Sequence, residues 1–380
     1  AAKKFGHVFA DSLSDISNTT LGFEKIFVIN MPSRTDRRDA TSLAAAASNL
    51  NIDFIEGVGG DSIPEAAFPP GGSADSIKQS PGIKGSWRSH MNALHTVVHQ
   101  NLTTALIFED DGDWDIRLRQ QLHLFARASR LLTAGFDISQ YPVETVTNPE
   151  TPEKSIYNES SQNPISPTII SLPLSLLPAT HSPHPYGDPA SWDVLWLGHC
   201  GVAFPRPPET DKLSSKSIVL THANDSTVPL PEYLRAHPFG PLDALAQSHP
   251  AHTRVYHRAS GGALCTVAYA VSQRGARRLL HEFGVKKWSR IFDVEMGEWC
   301  AGSEASDERT CITSQPPIFS HHHPLGGESD IGGLGGGYAR SVETKYVRKS
   351  VRMNLEALLR GAREEDLVDS GPGEGFCGEV

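Results

Sequence analysis

The sequence of 380 residues lacks features that would assign it to several large classes of protein. No stretch approaches the ~20 apolar residues of a membrane span, so we expect no direct membrane insertion. Basic residues are not in excess, and the formal net charge of −10 argues against nucleic acid or an anionic membrane as a partner. A phosphorylated small molecule stays possible, because a local basic pocket or a bound cation can bind its phosphates.

Cysteine is scarce, and none of the five cysteines stands in a CxxC spacing, so we expect no zinc site. Two alternatives stay open: five reduced thiols, or a pair between Cys300 and Cys311 that leaves Cys377 as the odd thiol. The first residues, AAKKFGHVFADSLSD, lack the apolar segment of a signal peptide, so the chain is either cytosolic or has its targeting segment elsewhere. Four N-x-[ST] sequons favour the secretory pathway, at Asn18, Asn101, Asn158 and Asn224.

The order of the predicted elements indicates an α/β protein with a parallel sheet. Strands are predicted at 25–30, 53–57 and 104–108, with helices at 39–49 and over GSWRSHMNALHTVVHQN between them. After the third strand, ALCTVAYAVS predicts a further strand and QRGARRLLHEFG a helix.

We expect one catalytic domain at 25–340, preceded by an extension at 1–24. Its Pro- and Ser-rich insertion at about 141–190 shows no periodicity and is predicted to be a surface excursion rather than a domain. A C-terminal helix over 341–359 and a flexible acidic tail are predicted to complete the chain within 341–380.

Three consecutive carboxylates, Glu109, Asp110 and Asp111, follow the third strand, where ligands bind in α/β sheets. Alternation along a strand would direct Glu109 and Asp111 to one side, where they could share Mn²⁺ or Mg²⁺, with Asp110 on the opposite side. The alternative is an acidic, solvated turn. Gly112 makes a continued strand doubtful, so Asp113 and Asp115 are not added to the metal ligands.

Other candidates lie at strand and helix ends. Arg34, Arg37 and Arg38 follow the first strand, where guanidinium groups and main-chain N–H groups suit a diphosphate; the alternative is a solvated helix start. Lys84 is a similar basic candidate before a helix. The tract His321, His322 and His323 offers a further metal ligand or an exposed loop, and Asp293 offers a general base or a helix N-cap.

Taken together, these segments resemble glycosyltransferase family 25, and we expect a fungal-type member. The resemblance covers about 25–330 and is carried by IFVINMPSRTDRRD, GSWRSHMNALHTVV, ALIFEDDGDWD, ASGGALCTVAYAVSQRGARRLL and IFDVEM. Ser86 replaces a cysteine common in the family, Phe292 replaces a proline, and the insertion at 141–190 has no counterpart.

The resemblance implies a GT-A fold, in which a Rossmann-like nucleotide-binding sheet merges with an acceptor-binding half. It implies metal-dependent, inverting transfer of a hexose, galactose or glucose, from a UDP-sugar to a hydroxyl of a glycan or glycoprotein. The secretory pathway, in the Golgi or the ER lumen, is the expected location, with any membrane anchor outside this sequence. A catalytically silent sugar-binding relative and a metal-dependent carbohydrate hydrolase are the alternatives.

The implied roles fall into three sets. The metal ligands are Glu109, Asp111 and His322, and the metal is Mn²⁺ or Mg²⁺. The general base is Asp293, with Asp330 as the second candidate. The donor-binding residues are Asn30, Arg34, Arg37, Arg38, Lys84, Ser89, His90 and Asp110.

Overall fold

The computed structural model describes residues 12–70, 79–135, 137–142, 144–147, 168–205, 218–235, 242–259, 263–302, 309–325, 330–331 and 342–370. Within these ranges the strands are β1 (Lys25–Asn30), β2 (Asp53–Glu56), β3 (Thr104–Glu109), β4 (Gly112–Trp114), β5 (Glu144–Thr147), β6 (Thr168–Pro173), β7 (Val194–Gly198), β8 (Ile218–His222), β9 (Arg254–Arg258), β10 (Ala268–Ser272), β11 (Cys311–Gln315), β12 (Phe319–His323) and β13 (Glu343–Thr344). The α-helices are α1 (Thr35–Ala47), α2 (Pro81–His99), α3 (Leu118–Ala134), α4 (Ala244–Ser248), α5 (Gln273–Leu279), α6 (Phe292–Ala301) and α7 (Leu355–Leu359), and a π-helix (Leu280–Lys286) continues α5.

Ten of these strands form a mixed sheet in the order β2-β1-β3-β10-β7-β11-β9-β8-β6-β5, and β12 branches from β7 to pair with β4 and β13. β2, β1 and β3 are parallel, and α1 and α2 lie between them in the chain, which is the Rossmann-like arrangement. From β10 onward antiparallel pairs alternate with parallel ones such as β7–β11 and β6–β8, so the sheet is mixed and the expectation of a parallel sheet holds only in part. The predicted α/β class is confirmed, and the architecture fits the GT-A type.

Alternating side chains of the strands enter two hydrophobic cores, one on each face of the sheet. Phe27 packs in the core that also buries Met91 of α2, whereas Val28 packs in the core that buries Phe125 of α3. Successive strand residues point to opposite faces, so a strand buried on both sides must be apolar throughout. The run IFVI of β1 meets that requirement, and α2 and α3 cover the two faces.

The insertion at 141–190 is partly built into the sheet, contrary to the predicted surface excursion. β5 and β6 pair antiparallel, and β6 pairs parallel with β8. Ile169 and Leu172 of β6 are buried, and the Tyr186 hydroxyl donates a hydrogen bond to the main-chain oxygen of Leu21. β6 could not be predicted from the sequence, because its apolar residues lie among prolines and serines and their spacing does not repeat.

The C-terminal segment also differs from its prediction. The helix predicted over 341–359 is confined to α7, and β13 and a series of turns take up the rest. Of the predicted acidic tail, residues 360–370 are described and include a short 3-10 helix at Glu364–Asp366, whereas residues 371–380, with Cys377, lie outside the described residues. In the extension at 1–24, the described residues pack onto the domain, with Ile16 and Leu21 fully buried. No helix among the described residues is long and apolar enough to cross a membrane.

Candidate active site

Glu109, Asp111 and His321 converge at the carboxyl end of β3. One potential ligand atom from each lies within 4.8 Å of the other two. His321 Nε2 is 3.7 Å from Asp111 Oδ1 and 4.0 Å from Glu109 Oε2. The three side chains are 21%, 23% and 22% exposed, so they are largely buried and still reachable by a small ion or ligand.

Strand geometry decides which histidine of the tract faces the carboxylates. β12 pairs antiparallel with β4, so that His321 lies opposite Gly112, immediately after Asp111. His322 points to the other face, where its Nδ1 lies 2.9 Å from Thr344 Oγ1. His322, which was predicted to be a metal ligand, therefore lies on the face away from Glu109 and Asp111, and His321 faces them instead, because neighbouring strand residues alternate between faces.

The chemistry of this cluster fits a hard divalent cation. Carboxylate oxygens with one imidazole nitrogen suit Mn²⁺, and carboxylates alone suit Mg²⁺. Asp111 Oδ1 is buried and has no hydrogen-bond partner among the described residues. Such an orphaned oxygen is costly unless a ligand satisfies it. A second cluster, Cys200 with Cys265 and His321, is no metal site in this form, because the two cysteines are joined in a disulfide.

Buried hydrogen bonds fix the orientation of Glu109. Thr266 Oγ1 donates to Glu109 Oε1 at 2.6 Å, and His90 Nε2 lies 3.3 Å from the same oxygen. His90 is 2% exposed, and its Nδ1 is 3.0 Å from the Tyr269 hydroxyl. Burial alone would raise the pKa of Glu109, but hydrogen bonds from His321 and His90 hold that pKa well below its usual range. His90 was predicted to bind the donor, but it is buried against Glu109 and orients that carboxylate.

Asp110 faces the opposite way, toward the β1–α1 loop. Asn30 Nδ2 donates to its Oδ2 at 2.7 Å, and Arg37 Nη1 donates to its Oδ1 at 2.9 Å. Burial and the neighbouring charge of Asp111 raise the pKa of Asp110 to about 6. Asn30 and Asp110, two of the predicted donor-binding residues, therefore lie at the site, where their hydrogen bond connects the β1–α1 loop to the end of β3.

Arg37 lies beside Asp110 and Asp111, and Arg34 and Arg37 share the carboxylate of Asp330. Arg37 Nη1 is 3.0 Å from Asp111 Oδ2 and 3.6 Å from Asp330 Oδ2, and Arg34 Nη1 is 2.7 Å from the same Asp330 oxygen. Burial alone would lower the pKa of Arg37, but Asp111 and Asp110 raise it. The guanidinium of Arg37 is charged next to the candidate ligand Asp111, whereas that of Arg34 is paired with Asp36 and Asp330. Asp330 lies between these two cations.

Three other predicted donor-binding residues do not join this group. The guanidinium of Arg38 lies 4.4 Å from the Phe54 ring centroid, on the exposed side of α1. The ammonium of Lys84 lies 5.8 Å from the ring centroid of Phe68. Ser89 is 3% exposed, and its hydroxyl donates to Gly85 O and accepts from Val58 N. These contacts hold α1 and α2 in the fold.

Asp293 lies in the first turn of α6, close enough to Glu109 for their charges to interact. Its Oδ2 accepts a hydrogen bond from the Cys265 main-chain N–H at 2.6 Å, and its Oδ1 accepts one from Val294. Burial raises the pKa of Asp293, and the charge of Glu109 adds to that effect. A carboxylate with a raised pKa is a better proton acceptor near neutral pH.

Two disulfides are present among the described residues. The pair Cys300–Cys311 confirms one of the two predicted alternatives. The pair Cys200–Cys265, which joins residues 65 positions apart, was not predicted. No spacing signal marks it, because the fold alone brings the ends of β7 and β10 together.

Asp113 and Asp115, also fully buried, hold the C-terminal segment. Asp113 accepts hydrogen bonds from the hydroxyls of Thr344 and Ser350. Asp115 pairs with Arg117 at 2.7 Å and accepts the Lys349 main-chain N–H at 3.0 Å. The acidic residues therefore have two roles: Glu109, Asp110 and Asp111 lie at the candidate site, whereas Asp113 and Asp115 hold the C-terminal segment in place.

An α/β sheet with acidic and basic groups at the carboxyl ends of β1 and β3 is the arrangement expected of an enzyme that binds phosphorylated ligands. Residues 23–149 match the sequence model of glycosyltransferase family 25 (LPS biosynthesis protein). The chain is 24% identical over 115 residues to procollagen galactosyltransferase 2 of Mus musculus. The aligned region covers 27% of this chain and 18% of that protein. The predicted relationship to this family is confirmed, over a region that includes Glu109, Asp111 and Arg37. A fungal origin stays a prediction.

Proposed function

We propose that this chain is a metal-dependent, inverting glycosyltransferase that moves a hexose, galactose or glucose, from a UDP-sugar to a hydroxyl of a glycan or glycoprotein. The observation that carries the proposal is the convergence of Glu109, Asp111 and His321 within 4.8 Å, with Arg37 3.0 Å from Asp111. Anionic ligands for a cation beside a fixed guanidinium suit a diphosphate. The family match over 23–149 and the galactosyltransferase relative support the transfer of a hexose.

In this proposal Glu109, Asp111 and His321 would hold Mn²⁺ or Mg²⁺, which would offset negative charge on the departing UDP. Glu109 presents Oε2 toward His321, because Thr266 and His90 engage Oε1. Arg37 and Arg34 donate N–H groups to phosphate oxygens. Arg34 would then exchange its contact with Asp330 for one with the donor.

Asp293 accepts the proton of the acceptor hydroxyl. Its two oxygens each accept one main-chain N–H, which fixes the carboxylate and leaves further lone pairs for the hydroxyl. The pKa of Asp293, raised by burial, favours this transfer. Asp330 is the weaker candidate for the base because Arg34 already engages it at 2.7 Å.

The secretory pathway is the proposed location. Two disulfides favour an oxidising compartment, and the three sequon asparagines in the described ranges, Asn18, Asn101 and Asn224, are all exposed.

Measuring UDP binding with and without Mn²⁺ by titration calorimetry tests the donor site. We expect Asp111→Asn to weaken Mn²⁺-dependent UDP binding at least about 10-fold, because a metal ligand loses its charge. Asp15→Asn, which changes an exposed carboxylate at the start of the described chain, should bind as the wild type does.

Incubation with UDP-galactose or UDP-glucose and a hydroxyl acceptor then separates the alternatives. Transfer with inversion supports the proposal. Binding without transfer indicates a silent sugar-binding relative, and sugar release from a glycan without nucleotide indicates a hydrolase. Absence of Mn²⁺-dependent UDP binding by the wild type would refute the donor site.

A further inference from the structure

We propose that the Cys200–Cys265 disulfide is a positioning element of the active site, so that the metal and donor site is fully assembled only in the oxidised protein. This inference rests on the proposed function. The bond joins the segment after β7 to the segment before β10. Each of its two cysteines contacts a residue with an assigned role.

At one end, Cys200 Sγ lies 3.4 Å from His321 Nδ1, the ring nitrogen opposite the one that faces Glu109 and Asp111. A metal-binding imidazole is oriented by whatever its second nitrogen contacts. Cys200 occupies that position for His321. At the other end, the Cys265 main-chain N–H donates to Asp293 Oδ2 at 2.6 Å. The disulfide therefore links the surroundings of a metal ligand to those of the general base.

The residue after Cys265 extends the same support to Glu109. Thr266 Oγ1 donates to Glu109 Oε1 at 2.6 Å and lies 3.1 Å from His90 Nε2. A displacement of the segment that carries Cys265 and Thr266 would thus reach Asp293 and Glu109 together. Because side chains of a metal site must hold their geometry closely, such a displacement lowers metal affinity.

This segment needs a restraint. Cys265 has a φ of 65°, in the left-handed region that costs energy for a residue other than glycine. The adjacent Leu264 is 45% exposed and therefore contributes little burial. Two main-chain hydrogen bonds connect it to the β7 side, from Cys200 N at 2.8 Å and to Gly201 O at 3.1 Å. Trp196 Nε1 of β7 also donates to the Cys265 main-chain oxygen at 3.0 Å, and the disulfide adds a covalent link to these hydrogen bonds.

The Cys300–Cys311 disulfide offers a matched control. Its cysteines are 6% and 1% exposed and pack in the core shared by α6 and β11. It joins residues only 11 positions apart. This bond stabilises the end of α6 and does not contact Glu109, Asp111 or His321 through any described hydrogen bond.

Reduction by a dithiol would break the S–S bond. The disulfide takes up two electrons and two protons to give two thiols, and the dithiol is oxidised to its cyclic disulfide. The segment that carries Cys265 and Thr266 would then lose its covalent restraint and keep only its noncovalent contacts with the β7 side.

The test compares Cys200→Ser/Cys265→Ser with Cys300→Ser/Cys311→Ser and the wild type. Mn²⁺ affinity is measured from the spin-resonance signal of free Mn²⁺, in the presence of UDP and well below the thermal midpoint of each protein. We expect the first variant to bind Mn²⁺ about 10-fold or more weakly, the loss typical when a partner of a metal ligand is removed. The control should stay within about twofold of the wild type. Dithiothreitol should weaken Mn²⁺ binding by the wild type, and reoxidation should restore it.

Unchanged Mn²⁺ affinity in Cys200→Ser/Cys265→Ser would overturn this inference and leave the proposed function intact. Loss of affinity together with loss of the cooperative thermal transition would overturn it in favour of a purely structural bond. Failure of the wild type to bind Mn²⁺ with UDP would instead overturn the proposed function, and this inference with it.

Discussion

Lowering the pH from 7 to 5 should destabilise the fold through two buried imidazoles, His257 and His199. His257 Nδ1 donates to the main-chain oxygen of Arg258 at 2.8 Å, and its Nε2 accepts from the Gln315 amide at 3.2 Å. His199 Nε2 donates to a main-chain oxygen at 2.9 Å, and its Nδ1 accepts the Gly201 N–H at 3.2 Å. Each ring is satisfied only when neutral, because an added proton would point at another N–H group.

Burial lowers the pKa of both histidines from 6.5 to about 4 in the folded protein. The folded state therefore binds fewer protons than the unfolded state between these two values, and stability is lost as the pH falls through that window. At pH 5 the unfolded imidazole is mostly protonated and the folded one mostly neutral. Each histidine then costs about 2 kcal/mol of unfolding free energy relative to pH 7.

Asp110 acts in the opposite direction, because its pKa is raised to about 6 and protonation below that value favours the folded state. The contribution of His257 to the pH dependence of stability is therefore measured as the difference between the wild type and His257→Gln. Urea unfolding of the wild type and of His257→Gln at pH 7, 6 and 5 gives the two pH dependences, with His95→Gln as a control at an exposed position. We expect His257→Gln to lose about 2 kcal/mol less than the wild type between pH 7 and 5. Parallel pH profiles for these two proteins would refute the reasoning.

Three further changes test other parts of the structure. His321→Ala should weaken Mn²⁺ affinity about 10- to 100-fold in a spin-resonance titration, while His322→Ala should change it less than about threefold, because the two side chains lie on opposite faces of β12; equal losses would contradict this geometry. Arg254→Met should lower the free energy of unfolding in urea by about 3–5 kcal/mol, because it leaves Asp225, 2.8 Å from Arg254 Nε, buried without its partner; a loss below about 1 kcal/mol would contradict it. Asn101→Gln should reduce the mass of the chain secreted from eukaryotic cells by one glycan, since Asn101 is exposed in a turn; an unchanged mass would count against glycosylation at this sequon.

The elements with strong local patterns were predictable. β1 spans the predicted 25–30, and β3 exceeds its predicted end by one residue, because continuous apolar runs ended by charge mark strands buried on both faces. The place of Glu109, Asp110 and Asp111 followed from the same pattern. Their expected division, with Asp110 turned away from Glu109 and Asp111, agrees with the observed contacts, although the metal stays a proposal.

The features that depend on distant pairing were not predictable. The choice of His321 over His322 follows from the register of β12 against β4, which no local pattern reveals. The Cys200–Cys265 bond depends on the adjacency of β7 and β10, and the mixed sheet depends on how later strands insert. Such contacts are decided by tertiary packing, so a single sequence contains little local signal for them.

The division of the acidic run strengthens the case for a bound cation. Asp115 has Arg117 as its partner at 2.7 Å, Asp113 accepts from two hydroxyls, and Asp110 accepts from Arg37 and an amide. Glu109 has Thr266 and His90 as partners only at Oε1, and its Oε2 and Asp111 converge on the imidazole of His321, where Asp111 keeps a buried oxygen that no described residue satisfies. Arg37 is shared between Asp110 and Asp111, so it offsets the negative charge only in part. A divalent cation between Glu109 and Asp111 would supply the missing positive charge and satisfy that oxygen.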